Sequence, residues 1–144
     1  MALPKVYFAN DHGANELKDV VLAHVKALGY EVEDLGCDGS ESVNYPDYAD
    51  LMAKKILADK DALGILMCGT GIGISIAANR HKGIRAALCV NEFMAKMTRQ
   101  HNDANVLVMG GRVVGTDLGK SIAQTFLEND FEGGRHQTRI DMFN

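Results

Sequence analysis

The chain has 144 residues, 47% of them hydrophobic and 24% charged, which favours one compact domain over residues 1–144 and excludes wholesale disorder. A net charge of −4 excludes a generally basic surface for nucleic acid, and no apolar run is long enough to span a bilayer. The three cysteines are widely and unequally spaced and form no metal-binding motif, so we expect no disulfide framework, no metal site and a cytoplasmic location.

The first half of the chain alternates short apolar runs with amphipathic stretches. Lys5–Ala9 predicts a strand, and apolar residues at helical spacing predict a helix over Asn15–Leu28, which Gly29 is placed to end. Tyr30–Leu35 predicts a second strand, and after a loop the pattern indicates a helix over Asp47–Ala58.

The second half repeats this alternation. Ala62–Met67 is a nearly continuous apolar run, typical of a strand covered on both faces. The elements predicted after it are a helix over Ile72–Arg80, a strand over Ile84–Val90, a helix over Glu92–Gln100, a strand over Asn105–Met109 and a helix over Asp117–Leu127, followed by a polar tail.

Strands that alternate with helices predict a parallel sheet with helices on both faces. We expect an open, doubly wound, Rossmann-like α/β fold with five strands in the order 2-1-3-4-5. Ligands of such sheets bind beyond the carboxyl ends of the strands, at the point where the strand order reverses. With this order that point lies between the first and third strands, at the loops Asn10–Ala14 and Cys68–Gly73.

The loop after the third strand reads Cys68-Gly69-Thr70-Gly71-Ile72-Gly73. Its glycines allow several backbone amides to face one anion or oxyanion, and the same field would favour the thiolate of Cys68. A P-loop would need a lysine after the glycines, and Ile74 occupies the position of a dinucleotide fingerprint's third glycine and of a cysteine phosphatase's arginine. Two interpretations remain: a cysteine for proton abstraction or covalent chemistry, or a buried structural cysteine.

Three further polar groups have two interpretations each. Asp11 can cap the following helix or, with His12, hold sugar hydroxyls or a phosphate. His101 precedes the fifth strand and therefore belongs to the edge of the sheet opposite Cys68, so it is a surface residue or serves a second subunit. The arginines at positions 112, 135 and 139 suit phosphate or form a solvated face.

Six motifs follow one another along nearly the whole chain. They are DHG at 11–13, NYPDYA at 44–49, CGTGIGISIAAN at 68–79, GIRA at 83–86, RQHNDANVL at 99–107 and GGRHQTR at 133–139. As an ordered set they resemble ribose-5-phosphate isomerase type B and its relatives, the allose-6-phosphate and galactose-6-phosphate isomerases.

The resemblance implies roles for individual residues. Cys68 would be the base that moves a proton between C2 and C1, and His101 the acid/base that opens the furanose ring. Thr70 and the amides of Gly69, Gly71 and Gly73 would hold the enediolate oxygen. Asp11 and Asn102 would contact the sugar, Tyr45 would line the ring-opening region, and His12, Arg112, Arg135 and Arg139 would bind the phosphate, the last two from the C-terminal segment 128–144.

The resemblance also implies a homodimer whose active sites draw residues from both subunits, with pairing into tetramers left open. No metal or cofactor is expected. The implied reaction interconverts ribose 5-phosphate and ribulose 5-phosphate in the pentose phosphate pathway. A hexose 6-phosphate isomerase is the alternative, and a non-catalytic sugar-phosphate or nucleotide-binding module is a third reading.

Two positions depart from the family's pattern. Asn44 stands where many relatives carry Asp, which removes a carboxylate from that site. Ile74 stands where one branch carries a Glu base, which leaves Cys68 as the only candidate for that role.

Overall fold

The structure is a computed structural model that describes residues 2–144. All five predicted strands and all five predicted helices are present, and the tail adds a sixth helix. The strands are β1 (Val6–Asn10), β2 (Val32–Asp34), β3 (Leu63–Cys68), β4 (Ala86–Leu88) and β5 (Val106–Gly110), and the helices are α1 (Asn15–Ala27), α2 (Tyr45–Ala58), α3 (Ile72–Ala78), α4 (Glu92–Asn102), α5 (Thr116–Glu128) and α6 (Arg135–Asp141).

The five strands form one parallel sheet in the order 2-1-3-5-4. The predicted order 2-1-3-4-5 is therefore wrong at its end, because β5 rather than β4 pairs with β3. The reason lies in burial: all five residues of β5 are buried, whereas the three residues of β4 are only partly buried. A short, partly exposed strand is suited to the edge of a sheet, and a fully buried apolar strand to its centre.

Alternate residues of each central strand enter two separate cores. Ile65 and Met67 of β3 join one core with α1, α4 and α5, whereas Leu66 and Cys68 join the other with α2 and α3. Helices therefore cover both faces, as predicted. Cys68 faces the α2 and α3 layer, at the end of its strand.

Two boundaries differ from the predictions for local reasons. Helix α2 begins at Tyr45, two residues earlier than predicted, because Pro46 is accommodated in the first turn, where its missing N–H is not needed. Strand β2 is only three residues long, and two of them are acidic. Within residues 2–144, no helix combines the length and apolar character that crossing a bilayer requires.

Candidate active site

The loops that follow β1, β3 and β5 meet at one edge of the sheet, called here the carboxyl edge. Gly111 N–H donates to the Cys68 carbonyl at 2.8 Å, and Arg112 N–H donates to the Gly69 carbonyl at 2.9 Å. A Cβ on Gly13 would lie 3.1 Å from the backbone of Gly69. The strand order observed here, with β5 beside β3, is what brings Arg112 to the glycine loop.

Cys68 is the last residue of β3 and is buried, with only 5% of its surface exposed. Its Sγ accepts a hydrogen bond from Gly71 N–H at 3.2 Å. Gly71 has a φ of +82°, and a Cβ there would lie 2.6 Å from Cδ1 of Leu88. Only glycine fits this backbone, and the resulting turn directs an amide at the sulfur, where it stabilises negative charge.

Tyr45 packs against the glycine loop because Gly73, the last glycine of the motif, has no side chain to block its ring. A Cβ on Gly73 would lie 2.7 Å from Cζ of Tyr45, so the ring packs directly on the first turn of α3. Thr70 is exposed, and its Oγ1 accepts from Ile72 N–H at 3.1 Å. A hydroxyl and a phenol therefore lie on the solvent side of the loop that holds the thiol.

Asp11 and His12 are both fixed by backbone hydrogen bonds. Asp11 is buried, and its Oδ1 accepts from Gly13 N–H at 2.8 Å, which caps a short 3-10 turn over His12–Ala14 and not α1, which has no side-chain cap. Nδ1 of His12 accepts from Val43 N–H at 3.2 Å. That bond places the proton of the neutral ring on Nε2, which makes Nε2 a donor. Val43 is a partner that the sequence did not indicate.

His101 lies at the opposite edge, called here the amino edge. It is in the last turn of α4, just before β5 begins, whereas the register pairs Cys68 with Gly110 at the far end of β5. The structure therefore separates Cys68 from His101 and Asn102 within one chain, as expected from the sequence.

The tail supplies the rest of the amino edge. The His101 ring stacks on that of His136, and both lie near Glu132. Arg135 and Arg139, the predicted phosphate ligands of the tail, line the same cavity of about 380 Å³. No role was predicted for Glu132 or His136, and because Glu132 lies before α6, with Gly133 and Gly134 between, no helical spacing in the sequence signals their contact.

The other two thiols donate to oxygen atoms, Cys37 Sγ to Asn15 Oδ1 and Cys89 Sγ to the Ala87 carbonyl, each at 3.7 Å. Burial raises the pKa of the Cys37 thiol, and burial raises the pKa of Cys89 to about 12. A thiol with a raised pKa is a poor base and a poor nucleophile at neutral pH. Both buried cysteines therefore fit a structural role.

Comparison with known proteins gives consistent matches over nearly the full chain. A family model described as ribose/galactose isomerase matches residues 6–143. Ribose-5-phosphate isomerase B of Escherichia coli is 46% identical over 139 residues, with 96% of this chain and 93% of that protein covered.

Solved structures give the same result. The structure of a ribose 5-phosphate isomerase from Thermotoga maritima is 50% identical, with a TM-score of 0.94 and 97% of each chain covered. The structure of ribose-5-phosphate isomerase B from Mycoplasma genitalium with bound ribulose-5-phosphate is 44% identical, with a TM-score of 0.92 and coverage of 96% of this chain and 92% of that one.

Proposed function

The chain belongs to the ribose/galactose isomerase family, and from this we propose that it interconverts ribose 5-phosphate and ribulose 5-phosphate. It is an aldose–ketose isomerase, and such an enzyme must move one proton between C2 and C1 of the open-chain sugar. The observation that supports Cys68 as the base is its position: a buried thiol at the carboxyl end of β3, with an amide donating to its sulfur.

The chemistry follows from the charge that develops during proton removal. The C1 carbonyl makes the C2 proton acidic, and its removal gives a cis-enediolate whose negative charge lies on oxygen. Amides of the glycine loop 69–73 and the hydroxyl of Thr70 would hold that oxygen, and each such donor is typically worth about 3 kcal/mol. Return of the proton to C1 gives the ketose, so the reaction requires no redox cofactor.

A second copy of the chain would supply the ring-opening residues. Because His101 and Asn102 lie at the amino edge, they would serve the Cys68 site of a partner subunit. The surface also supports a homodimer: α3, α4 and the segment before α4 expose large apolar side chains, namely Ile72, Ile76, Val90 and Phe93. Ile72 and Ile76 lie one helical turn apart on α3, and neighbouring exposed apolar groups are typical of protein interfaces.

The phosphate site would be shared in the same way. Arg112 and His12 lie at the carboxyl edge, whereas Arg135 and Arg139 lie at the amino edge. Bidentate guanidinium groups suit a phosphate dianion, and an anchor far from the reacting carbons contributes binding energy that orients them.

The test is steady-state isomerisation of ribose 5-phosphate beside allose 6-phosphate and galactose 6-phosphate, with a chelator present. We expect turnover of the pentose phosphate to exceed that of both hexose phosphates in kcat/KM. A higher kcat/KM for a hexose phosphate would contradict the proposed substrate but not the proposed mechanism. Absence of turnover of all three, with retained phosphate binding, would favour a non-catalytic module.

A further inference from the structure

Two imidazoles and a carboxylate lie together at the amino edge. The His101 and His136 rings have centroids 4.4 Å apart and planes inclined by 16°. Nε2 of His136 lies 3.5 Å from Oε1 of Glu132, and Nε2 of His101 lies 3.8 Å from the same oxygen. We propose that these three residues form a binding site for a divalent late transition metal such as Zn²⁺, and that the bound metal inhibits the isomerase by occupying His101.

The distances are close to those that such an ion requires. One donor atom from each residue lies within 4.8 Å of the other two. A tetrahedral zinc ion with bonds of about 2.0–2.1 Å keeps its ligand atoms about 3.3 Å apart. The separations from Glu132 nearly meet this requirement. The two stacked imidazoles need a closing movement of about 1.5 Å at most and a rotation of one ring, because each nitrogen binds a metal in the plane of its ring. Side chains that are 42% exposed for His101 and 51% exposed for Glu132 are free to make it.

The ligand set identifies the class of metal. Two imidazoles and one carboxylate form a zinc site with an open fourth position, and imidazole favours zinc, copper and nickel over magnesium and calcium. One backbone contact joins the two segments that carry the ligands: Glu132 N–H donates to the Gln100 carbonyl at 3.1 Å, which ties the tail to the turn that carries His101. The cluster therefore joins two elements whose relative position is already fixed.

The open fourth position suits an anion. Arg135 and Arg139 line the same cavity as the three ligands. Their charges weaken the affinity for a bare cation and favour a metal that keeps a negatively charged fourth ligand. We therefore expect micromolar rather than nanomolar affinity, as suits reversible inhibition.

Inhibition follows from the loss of one nitrogen. An imidazole nitrogen bound to a metal neither accepts nor donates a proton, so His101 cannot open the sugar ring while the metal is present. This consequence rests on the proposed function of His101. The binding of the metal does not, because it depends only on the three side chains.

Binding is tested with Co²⁺, whose visible absorption reports its ligands, added to the full chain. We expect one Co²⁺ per chain with tetrahedral bands, and affinity weakened at least about tenfold in Glu132→Gln and His136→Asn, since each variant removes one of three ligands. The matched control is His81→Asn, which disrupts a histidine–carboxylate pair, with His81 Nε2 2.7 Å from Asp50 Oδ1, that lacks a second imidazole. Equal Co²⁺ affinity in all four proteins, or an intense thiolate charge-transfer band, would overturn the site.

Inhibition is tested by adding Zn²⁺ during turnover of ribose 5-phosphate and then removing it with a chelator. We expect Zn²⁺ to lower the isomerase activity at least about tenfold and the chelator to restore it. Inhibition of Glu132→Gln should require a Zn²⁺ concentration at least about tenfold higher than inhibition of the wild type. Equal inhibition of Glu132→Gln and the wild type would mean that Zn²⁺ acts at another site, for example at Cys68. That result would overturn the proposed inhibition. An enzyme inactive on all sugar phosphates that still binds Co²⁺ at this cluster would refute the proposed function alone.

Discussion

The two edges of the sheet are built in different ways. At the carboxyl edge, backbone hydrogen bonds and glycines fix the loop around Cys68, and a Cβ on Gly71 would lie 2.6 Å from Leu88. At the amino edge, the functional groups are side chains on the end of α4 and on the tail, and His101 is only partly buried. The carboxyl edge therefore determines its own geometry, whereas the function of the amino edge depends on the surface of the proposed partner subunit that faces it.

The largest effect is expected at the carboxyl edge, from Cys68→Ala. Removing the base should lower kcat about 10³-fold, within the range that general base catalysis contributes, with phosphate binding little changed. Isomerisation and the exchange of the C2 hydrogen with solvent measure the loss, and calorimetry with substrate measures binding.

The matched control for this change is Cys89→Ala, because burial raises the pKa of Cys89 to about 12 and the thiol is remote from solvent. It should cost stability but keep the catalytic rate per folded molecule. Full activity in Cys68→Ala would contradict the proposal that Cys68 is the base. It would also leave the carboxyl edge without an assigned catalytic base.

The next largest effect is expected at the amino edge, from His101→Asn. Turnover of ribose 5-phosphate, which is mostly cyclic, should fall about 10²-fold, the low end for a proton-transfer group. Turnover of an aldose phosphate that cannot close to a furanose, such as erythrose 4-phosphate, should fall less, because no ring has to be opened. Initial rates with the two aldose phosphates measure this difference, and equal losses would contradict a role in ring opening.

Mixing inactive variants tests whether the two edges of different subunits meet. In a heterodimer of Cys68→Ala and His101→Asn, one site carries both substitutions and the other carries neither. After random exchange, half of the dimers are mixed, so about a quarter of wild-type activity should return. Absence of recovery, with exchange confirmed by mass spectrometry of differently labelled chains, would count against shared sites.

A smaller effect, on stability as well as rate, is expected from Gly71→Ala. The positive φ costs about 1 kcal/mol and the clash with Leu88 adds about 1–3 kcal/mol, so the free energy of unfolding should fall by about 2–4 kcal/mol. The control is Gly115→Ala, where φ is −70° and a Cβ meets nothing within 4 Å. Urea unfolding compares them, and equal stability would show that the loop adapts.

The smallest effect is expected from Lys18→Met, which tests a side chain that supports the carboxyl edge. Nζ of Lys18 is buried and donates to Asp34 at 2.6 Å and to the Cys37 carbonyl at 3.3 Å. Loss of these bonds should lower the free energy of unfolding by about 1–2 kcal/mol. The more exposed pair of Lys5 with Glu33 offers a control, since Lys5→Met should change the free energy of unfolding less than Lys18→Met does.

The effect of Lys18→Met should depend on pH in one direction. Burial alone lowers the pKa of Lys18, but the hydrogen bond and the charge of Asp34, followed by those of Asp19 and Asp38, raise it above its ordinary value of 10.5. A raised pKa in the folded state gives stability that is fully present below pH 10.5 and is lost as the pH rises through the folded pKa. The difference between wild type and variant should therefore shrink as the pH rises above 10.5, which urea unfolding at several pH values measures. A difference that stays constant in alkali would contradict a contribution from the charge of Lys18.

The sequence predicts the fold class well because its signals are local. Apolar runs and helical spacing locate all five strands, and the family resemblance agrees with the solved structures of relatives. The order of the last two strands is not local: Ile84–Val90 and Asn105–Met109 both look like apolar strands in sequence, and only their burial in the folded molecule separates edge from centre.

Local signals also account for what was predicted at the site. The glycine motif places Cys68 beside an amide because glycine conformations are dictated locally, and the structure shows the hydrogen bond from Gly71. The cluster of His101 with Glu132 and His136 joins residues far apart in sequence, so only the folded tail reveals it. The roles assigned to these residues in catalysis and binding stay predictions.

The strand order also has a consequence for synthesis of the chain on the ribosome. Strands β1, β2 and β3 pair with one another and are complete once residue 68 has emerged, whereas β4 pairs with β5 alone. β4 therefore has no neighbour in the sheet until residues 106–110 follow it. The loop that brings Arg112 to Gly69 is synthesised later still. Cys68 therefore leaves the ribosome well before the segment after β5 that packs against the glycine loop. We expect nascent chains that end before β5 to leave Cys68 open to thiol reagents, and longer ones to protect it.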